Sequence, residues 1–124
     1  MPIGKAWISQ TFVPLCPDPS RPRPMLSFKY KIYSHERLQD SSRDSFEVYI
    51  NGQRVWRNPS NPKWKIPPAP CTHDPWNLGW KESPPLDLSP YQVPITVSFW
   101  NASRGDSWFN TYTYVDDVQV TCEP

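Results

Sequence analysis

The sequence predicts an all-β fold, an antiparallel β-sandwich of the jelly-roll type, and three observations carry that prediction. The 124 residues include 17 prolines, which remove backbone donors and make long helices nearly impossible. The two longest proline-free stretches, 25–58 and 95–123, alternate polar and apolar residues as strands do. Asn51-Gly52, between two such runs, is the strongest short signal for a hairpin. Several short strands joined by turns are typical of a sandwich.

Each predicted strand has an apolar face. The opening segment 6–13 is the first candidate strand. The later apolar faces are Leu26, Phe28, Tyr30 and Ile32; Phe46, Val48 and Ile50; Ile95, Val97 and Phe99; and Tyr112, Tyr114, Val118 and Val120. After the Asn51-Gly52 turn, the chain returns through Arg54, Val55 and Trp56. The proline-rich segment between Trp56 and Leu78 has no clear period, and its two tryptophans favour an ordered surface loop over disorder.

Length and charge limit the organisation and the partners. One domain, 1–124, accounts for a chain of this length. Thirteen basic and twelve acidic residues give a net charge of +1, which is not the clustered basic surface that nucleic acid requires. No stretch approaches the roughly 20 apolar residues of a membrane span, and the first ten residues lack the apolar core of a signal peptide. Either the protein is cytosolic or it is a domain excised from a longer secreted chain. Because the start of the sequence reads straight into a strand-like segment, we expect the excised domain.

The order of the strand sequences resembles the jelly-roll accessory domains of bacterial secreted proteins. The resemblance is carried by "ISQTFVP", "LSFKYKIYS", "RDSFEVYINGQRVW", "LDLSPYQVPITVSF" and "YTYVDDVQV", which span nearly the whole chain. Those domains belong to the galactose-binding-like superfamily, together with many carbohydrate-binding modules and the MAM adhesion domains. The resemblance implies a galactose-binding-like fold and, as in many members, a structural calcium ion held by an aspartate of the last strand.

Asp116 matches that aspartate, because it stands two residues before the apolar pair Val118 and Val120. Strand parity places Asp116 on the face of these valines and Asp117 on the other. If that face is the core, an ionised carboxylate there costs several kcal/mol unless a cation, a basic side chain or backbone N–H groups neutralise it. Ca²⁺ is therefore a predicted cofactor, and an Asp116 that pairs with arginine or caps a turn is an equal alternative. Asp44 is a second candidate ligand, for which we favour a role in a turn.

The three cysteines permit one disulfide and one free thiol, and their spacing matches no zinc site. Counting the strands up and down the sandwich places Cys16 and Cys122 at one end and Cys71 at the other. The sequence therefore predicts a Cys16–Cys122 disulfide.

Motifs of catalysis are missing from the sequence. It contains no Gly-x-Ser-x-Gly elbow, no phosphate loop and no His-Glu-x-x-His pair. The two histidines, His35 and His73, fall in predicted loops, where surface roles are the usual ones. Asp116 and Asp117 are sequence neighbours on opposite faces of a strand, so they do not form the paired carboxylates of a glycosidase. We predict that the protein is not an enzyme.

A ligand site is predicted at one end of the sandwich. Alternating strand directions bring the loops 35–44, 57–77 and 101–110 to that end. They carry aromatic and polar candidates: Trp64, Trp76, Trp108, Arg43, His73, Asn101, Arg104 and Asp106. Sugars stack their C–H faces on aromatic rings and hydrogen-bond through their hydroxyls, which this mixture suits. The alternative is that the tryptophans pack against the prolines and hold the loops shut.

Two functions follow from this sequence as expectations. The first is a non-catalytic carbohydrate-binding module of an extracellular or cell-surface protein, whose partners are a carbohydrate or cell-surface polymer and the other domains of its parent chain. The second is a structural or adhesive module that mediates protein contacts. The fold alone does not decide between them, because function must come from a site.

Overall fold

A computed structural model describes residues 4–34, 38–39, 44–59, 61–65, 79–103 and 111–124. Ten strands lie in these residues: β1 (Gly4–Phe12), β2 (Arg23–Ser34), β3 (Leu38–Gln39), β4 (Asp44–Ile50), β5 (Gln53–Arg57), β6 (Asn61–Lys65), β7 (Lys81–Glu82), β8 (Leu86–Asp87), β9 (Ile95–Ser103) and β10 (Thr111–Glu123). None of the described residues forms a helix with the length and hydrophobicity needed to cross a membrane.

The strands form two main antiparallel sheets. The four-stranded sheet has the order β1-β9-β4-β5, and the second sheet has the order β10-β2-β7, with β8 also paired to β2. A small third sheet joins β3 to β6. This arrangement confirms the prediction of an all-β, antiparallel fold.

The core lies between the two main sheets. The buried residues of β2 (Leu26, Phe28, Tyr30 and Ile32) meet those of β4 and β9 (Phe46, Val48, Ile50, Ile95 and Val97), and Leu88 joins them. The ring of Phe28 stands edge-on to Phe46 at 5.7 Å and to Phe99 at 5.1 Å between centroids. Such aromatic pairs bury large apolar areas across the two sheets. The predicted apolar faces of these three strands are confirmed.

Asn51 and Gly52 form the turn between β4 and β5. Their φ angles of 51° and 83° are both positive, as a type I′ hairpin turn requires. The Asn51 side chain also ties the turn to β9, because its Oδ1 accepts from the Thr96 backbone N–H at 2.9 Å. The hairpin signal in the sequence therefore corresponds to a hairpin in the structure.

The structure contradicts the prediction of which β10 side chains share one face. A β-bulge interrupts the pairing of β10 with β2 between Asp116 and Gln119. Before the bulge, Tyr114 is 52% exposed and Val115 packs against the core instead. The extra residue of a bulge reverses which side chains face inward. Asp116 therefore does not share a face with Val118 and Val120.

Asp116 and Asp117 build this bulge. Asp117 adopts a φ of 53°, a left-handed conformation that aspartate tolerates better than most residues. The Asp117 backbone N–H donates to Asp116 Oδ1 at 2.8 Å, and Asp117 Oδ2 lies 3.7 Å from Lys29 Nζ. Two aspartates within a strand are thus explained by local hydrogen bonding at an irregularity.

A disulfide joins the two sheets along one side of the sandwich. Cys16 follows β1, the edge of the four-stranded sheet, and Cys122 lies in β10, the edge of the second sheet. The structure contains the predicted Cys16–Cys122 bond, with 5.6 Å between the two Cα atoms. Cys71 lies outside the described residues.

Tyr30 makes the stability of the core sensitive to alkaline pH. The residue is 4% exposed, and burial raises the pKa of its phenol above the ordinary value. A raised pKa in the folded state contributes stability that is complete below about pH 10 and lost as pH rises through the folded pKa. We expect Tyr30→Phe to match the wild type in urea denaturation at pH 7 and to exceed its midpoint above pH 10. Parallel losses in the two proteins would contradict this assignment.

Candidate ligand-binding surface

The loop site predicted from sequence falls mostly outside the described residues. Those positions are Arg43, His73, Trp76, Arg104, Asp106 and Trp108. Trp64 lies in β6, and only its backbone is described. Asn101 lies in β9, where its Oδ1 accepts a hydrogen bond from Thr113 Oγ1 at 3.2 Å. Asn101 is thus the one predicted residue of this site whose side chain is described, and the loop site stays a prediction.

Neither candidate calcium ligand belongs to a cluster of metal-ligating side chains among the described residues. Asp44 opens β4, and only its backbone, paired in register with Ser103, is described. Asp116 is exposed and stands opposite Lys29 on the outer face of its sheet, so the burial cost that argued for a cation does not arise. No cluster of three or more His, Cys, Asp or Glu side chains occurs among the described residues, whereas Ca²⁺ takes about six to eight oxygens. Calcium binding through Asp116 stays a prediction.

The outer face of the four-stranded sheet carries a row of large side chains. Trp7 of β1 is paired with Trp100 of β9, which in turn is paired with Glu47 of β4. Residues directly opposite on neighbouring strands share a face. The two indole rings stack with centroids 4.6 Å apart and planes inclined by 13°. Tyr49 continues the cluster, with its ring 5.0 Å from that of Trp100.

Trp7 is the accessible member of this aromatic row. It is 57% exposed although it lies in the middle of a strand. Because Trp100 covers one face of its indole, the accessible ring surface is on the other side. Indole is the largest apolar side chain, and its exposure in an ordered strand leaves a surface on which a flat apolar face can stack.

Glu47 is a fully buried carboxylate within the same row, with 0% exposure. Its Oε2 accepts from Ser45 Oγ at 2.5 Å, and its Oε1 accepts from Tyr49 Oη at 3.0 Å. Arg54 Nη1 lies 3.5 Å from Oε2. A buried charge is tolerated when it is paired and hydrogen-bonded in this way. Glu47 therefore fixes the positions of a phenol and a half-exposed guanidinium beside the tryptophans.

Hydroxyl groups extend this face along β1 and β9. Ser9 and Ser98 lie 2.7 Å apart between their Oγ atoms, and Thr11 and Thr96 lie 2.7 Å apart between their Oγ1 atoms. Each hydroxyl can both donate and accept. The outer face thus combines stacked indoles, a positioned guanidinium and a run of hydroxyls, which we call the Trp7 surface.

The chain matches no protein-family model, and comparison with curated proteins and with solved structures finds no significant match.

The Trp7 surface was not predicted from sequence, because the predicted ligand site was placed in the loops and not on a sheet face. The alternation of side chains along each strand could have indicated this surface. Trp100 is out of phase with the apolar face of its strand, Ile95, Val97 and Phe99, and so points away from the core. Glu47 is out of phase with Phe46 and Val48 in the same way.

Proposed function

We propose that the protein is a non-catalytic carbohydrate-binding module and that the Trp7 surface binds the sugar. The observation that supports this proposal is the stacked pair of Trp7 and Trp100, accessible at Trp7 and flanked by the Tyr49 phenol and the Arg54 guanidinium that Glu47 holds in place. A pyranose ring offers an apolar C–H face to an indole and hydroxyls to the neighbouring polar groups. Non-catalytic binding needs only this complementarity.

The proposed ligand is a neutral oligosaccharide rather than a single sugar. Strands in a sheet are about 4.8 Å apart, so the three steps from β1 to β5 place the backbones of Trp7 and Arg54 roughly 14 Å apart across the sheet. The Arg54 side chain reaches back to Glu47 of β4, but the ring of Trp100 lies against Trp7 on that side, so a single pyranose on the accessible face of Trp7 does not contact Arg54. The affinity of an oligosaccharide for this surface is therefore expected to rise with the number of its sugar units until the ligand spans the sheet from β1 to β5.

Trp7→Ala tests this proposal. Loss of the stacking surface is expected to weaken retention on a neutral polysaccharide by about thirtyfold, the effect of a central aromatic contact worth about 2 kcal/mol. The melting temperature should fall by only a few degrees, because Trp7 is more than half exposed and its stack with Trp100 is worth about 0.5–1.5 kcal/mol. A glycan array first selects the sugar, and affinity electrophoresis with a thermal melt then measures both quantities.

Three sets of variants serve as controls. Trp7→Phe keeps an aromatic face and should retain most of the binding. Trp80→Ala removes an exposed tryptophan from the other sheet and should leave neutral glycan binding unchanged. Trp64, Trp76 and Trp108, changed singly to Ala, test the loop end predicted from sequence. Binding that survives Trp7→Ala but is lost in one of those three would move the sugar site to the loops.

A structural or adhesive module is the second candidate, and an apolar cleft supports it. The cleft, of about 460 Å³, lies between β1 and β10 and is lined by Ile8, Phe99, Val118 and Val120 among others. Ile8 is 67% exposed. Exposed apolar patches of this kind often mark protein contacts. Self-association without retention on any glycan would favour this candidate over the first.

An extracellular or cell-surface location is proposed with either function. The Cys16–Cys122 disulfide supports it, because such bonds persist in oxidising compartments. The proposed assignment as a galactose-binding-like jelly roll rests on the sequence resemblance, and the antiparallel two-sheet arrangement agrees with it.

A further inference from the structure

The outer face of the second sheet carries its own aromatic row, on the opposite side of the sandwich from the Trp7 surface. Tyr114 of β10 is paired in register with Lys31 of β2. Trp80 immediately precedes β7, which pairs with β2 beside Lys31. Trp80 and Tyr114 are 49% and 52% exposed. A cation thus lies between two accessible aromatic side chains.

The Lys31 ammonium is held over two aromatic rings. Its Nζ lies 5.0 Å from the ring centroid of Trp80 and 5.4 Å from that of Tyr33, within the range of cation–π attraction. Within the described residues its ammonium makes no ion pair, whereas the neighbouring Lys29 is paired with Asp117 at 3.7 Å. Lys31 therefore retains a charge that an anionic ligand can neutralise.

Charges near Lys31 limit the kind of anion. Two residues along β2 from Lys31, Lys29 is paired in register with Glu82 of β7 on one side and with Asp116 of β10 on the other. These carboxylates would repel a polymer with a charge at every step, such as a nucleic acid. A ligand with few charges and with apolar ring faces fits better, because its rings can stack on the accessible aromatic side chains while one negative group pairs with the Lys31 ammonium.

We propose that this face, formed by Trp80, Lys31, Tyr33 and Tyr114, binds an anionic saccharide, with the sugar ring on Trp80 or Tyr114 and its carboxylate or sulfate at Lys31. The site is separate from the Trp7 surface and does not depend on it. A chain with both sites could bridge a neutral and an acidic glycan. Carboxylate and sulfate share the chemistry that Lys31 recognises, so the two sources are separated by experiment.

Affinity electrophoresis of the full chain on a highly methyl-esterified polygalacturonate, a lightly sulfated galactan and neutral galactan tests the proposal. The wild type should be retained by an acidic gel, and added salt should weaken that retention. Lys31→Gln should lower the affinity at least tenfold, whereas Lys31→Arg should preserve it, since arginine keeps both the charge and the cation–π contact. Trp80→Ala should also lose retention, because it removes the ring over which the Lys31 ammonium is held. Preference for one acidic polymer identifies the anion as carboxylate or sulfate.

Lys29→Gln is the matched control, because it removes a cation of the same strand that Asp117 already neutralises. It should change retention far less than Lys31→Gln, and thermal melts should show that both variants fold. Trp7→Ala should leave acidic retention unchanged, so failure of the proposed function and failure of this inference are distinguishable. The inference is overturned by absence of retention on both acidic gels, by equal losses in the two lysine variants, or by equal retention on DNA.

Discussion

Replacing Phe46 by alanine is expected to lower the free energy of unfolding by about 3–5 kcal/mol. Phe46 is 2% exposed, and its ring contacts Phe28, Tyr30, Trp56 and Phe99 at centroid distances of 5.4–6.0 Å. The truncation removes apolar contacts to both sheets and leaves a cavity that β-sheet backbones do not readily close. Because domains of this size are stable by only about 5–15 kcal/mol, the loss is a large fraction of the total.

Urea denaturation measures this loss as a lower midpoint with an unchanged slope. Tyr114→Ala is the matched control, since it removes an aromatic ring of similar size from an exposed position. That variant should lose no more than about 1.5 kcal/mol, the value of its contact with the Tyr33 ring. Similar midpoints for the two variants would show that Phe46 is not central to the core.

Strand periodicity predicted the core because three long strands each have one buried face. In β2, β4 and β9 a strict alternation is maintained by packing against the opposite sheet, so the apolar positions of the sequence are the buried ones. The turn at Asn51-Gly52 was equally readable, because few residue pairs accept two positive φ angles in succession. These features depend on local sequence, which is why sequence alone predicts them.

The bulge in β10 was not predictable by the same reasoning. A single extra residue at Asp116–Asp117 reverses the parity, and a count of alternating positions assumes that no such residue exists. The unusual pair of aspartates was the available signal: the resemblance assigned Asp116 to a calcium ion, and capping of the local backbone was the equal alternative. A carboxylate that accepts a hydrogen bond from its neighbouring N–H explains the pair with local contacts only.

The Trp7 surface needed knowledge of the register as well as of parity. Parity shows that Trp100 leaves the core, but the stacked pair exists only because β1 pairs with β9 at Trp7 and Trp100. Glu47 likewise joins this row only because β4 pairs with β9 at Glu47 and Trp100. Contacts between strands far apart in the chain depend on the order in which the strands pair, and the alternation of residues along one sequence does not reveal that order.

Loss of the Cys16–Cys122 disulfide is expected to lower the free energy of unfolding by about 2–4 kcal/mol. The bond spans a sequence separation of 106 residues, so it restricts nearly the whole unfolded chain. It also ties the edge strand β1 to the edge strand β10 across the cleft. Urea denaturation of the oxidised protein and of a Cys16→Ser/Cys122→Ser double variant measures the difference.

Cys71→Ser is the control for this prediction, because it removes the cysteine that has no part in the bond. Its midpoint should remain near that of the wild type in non-reducing conditions, and a reductant should lower the midpoints of both proteins to that of the double variant. Thiol titration of the denatured, unreduced wild type should find one thiol, whereas the Cys71→Ser protein should have none. Three thiols in the wild type would refute the bond itself. One thiol together with an unchanged midpoint in the double variant would instead show that the sandwich holds its two edge strands together by packing alone.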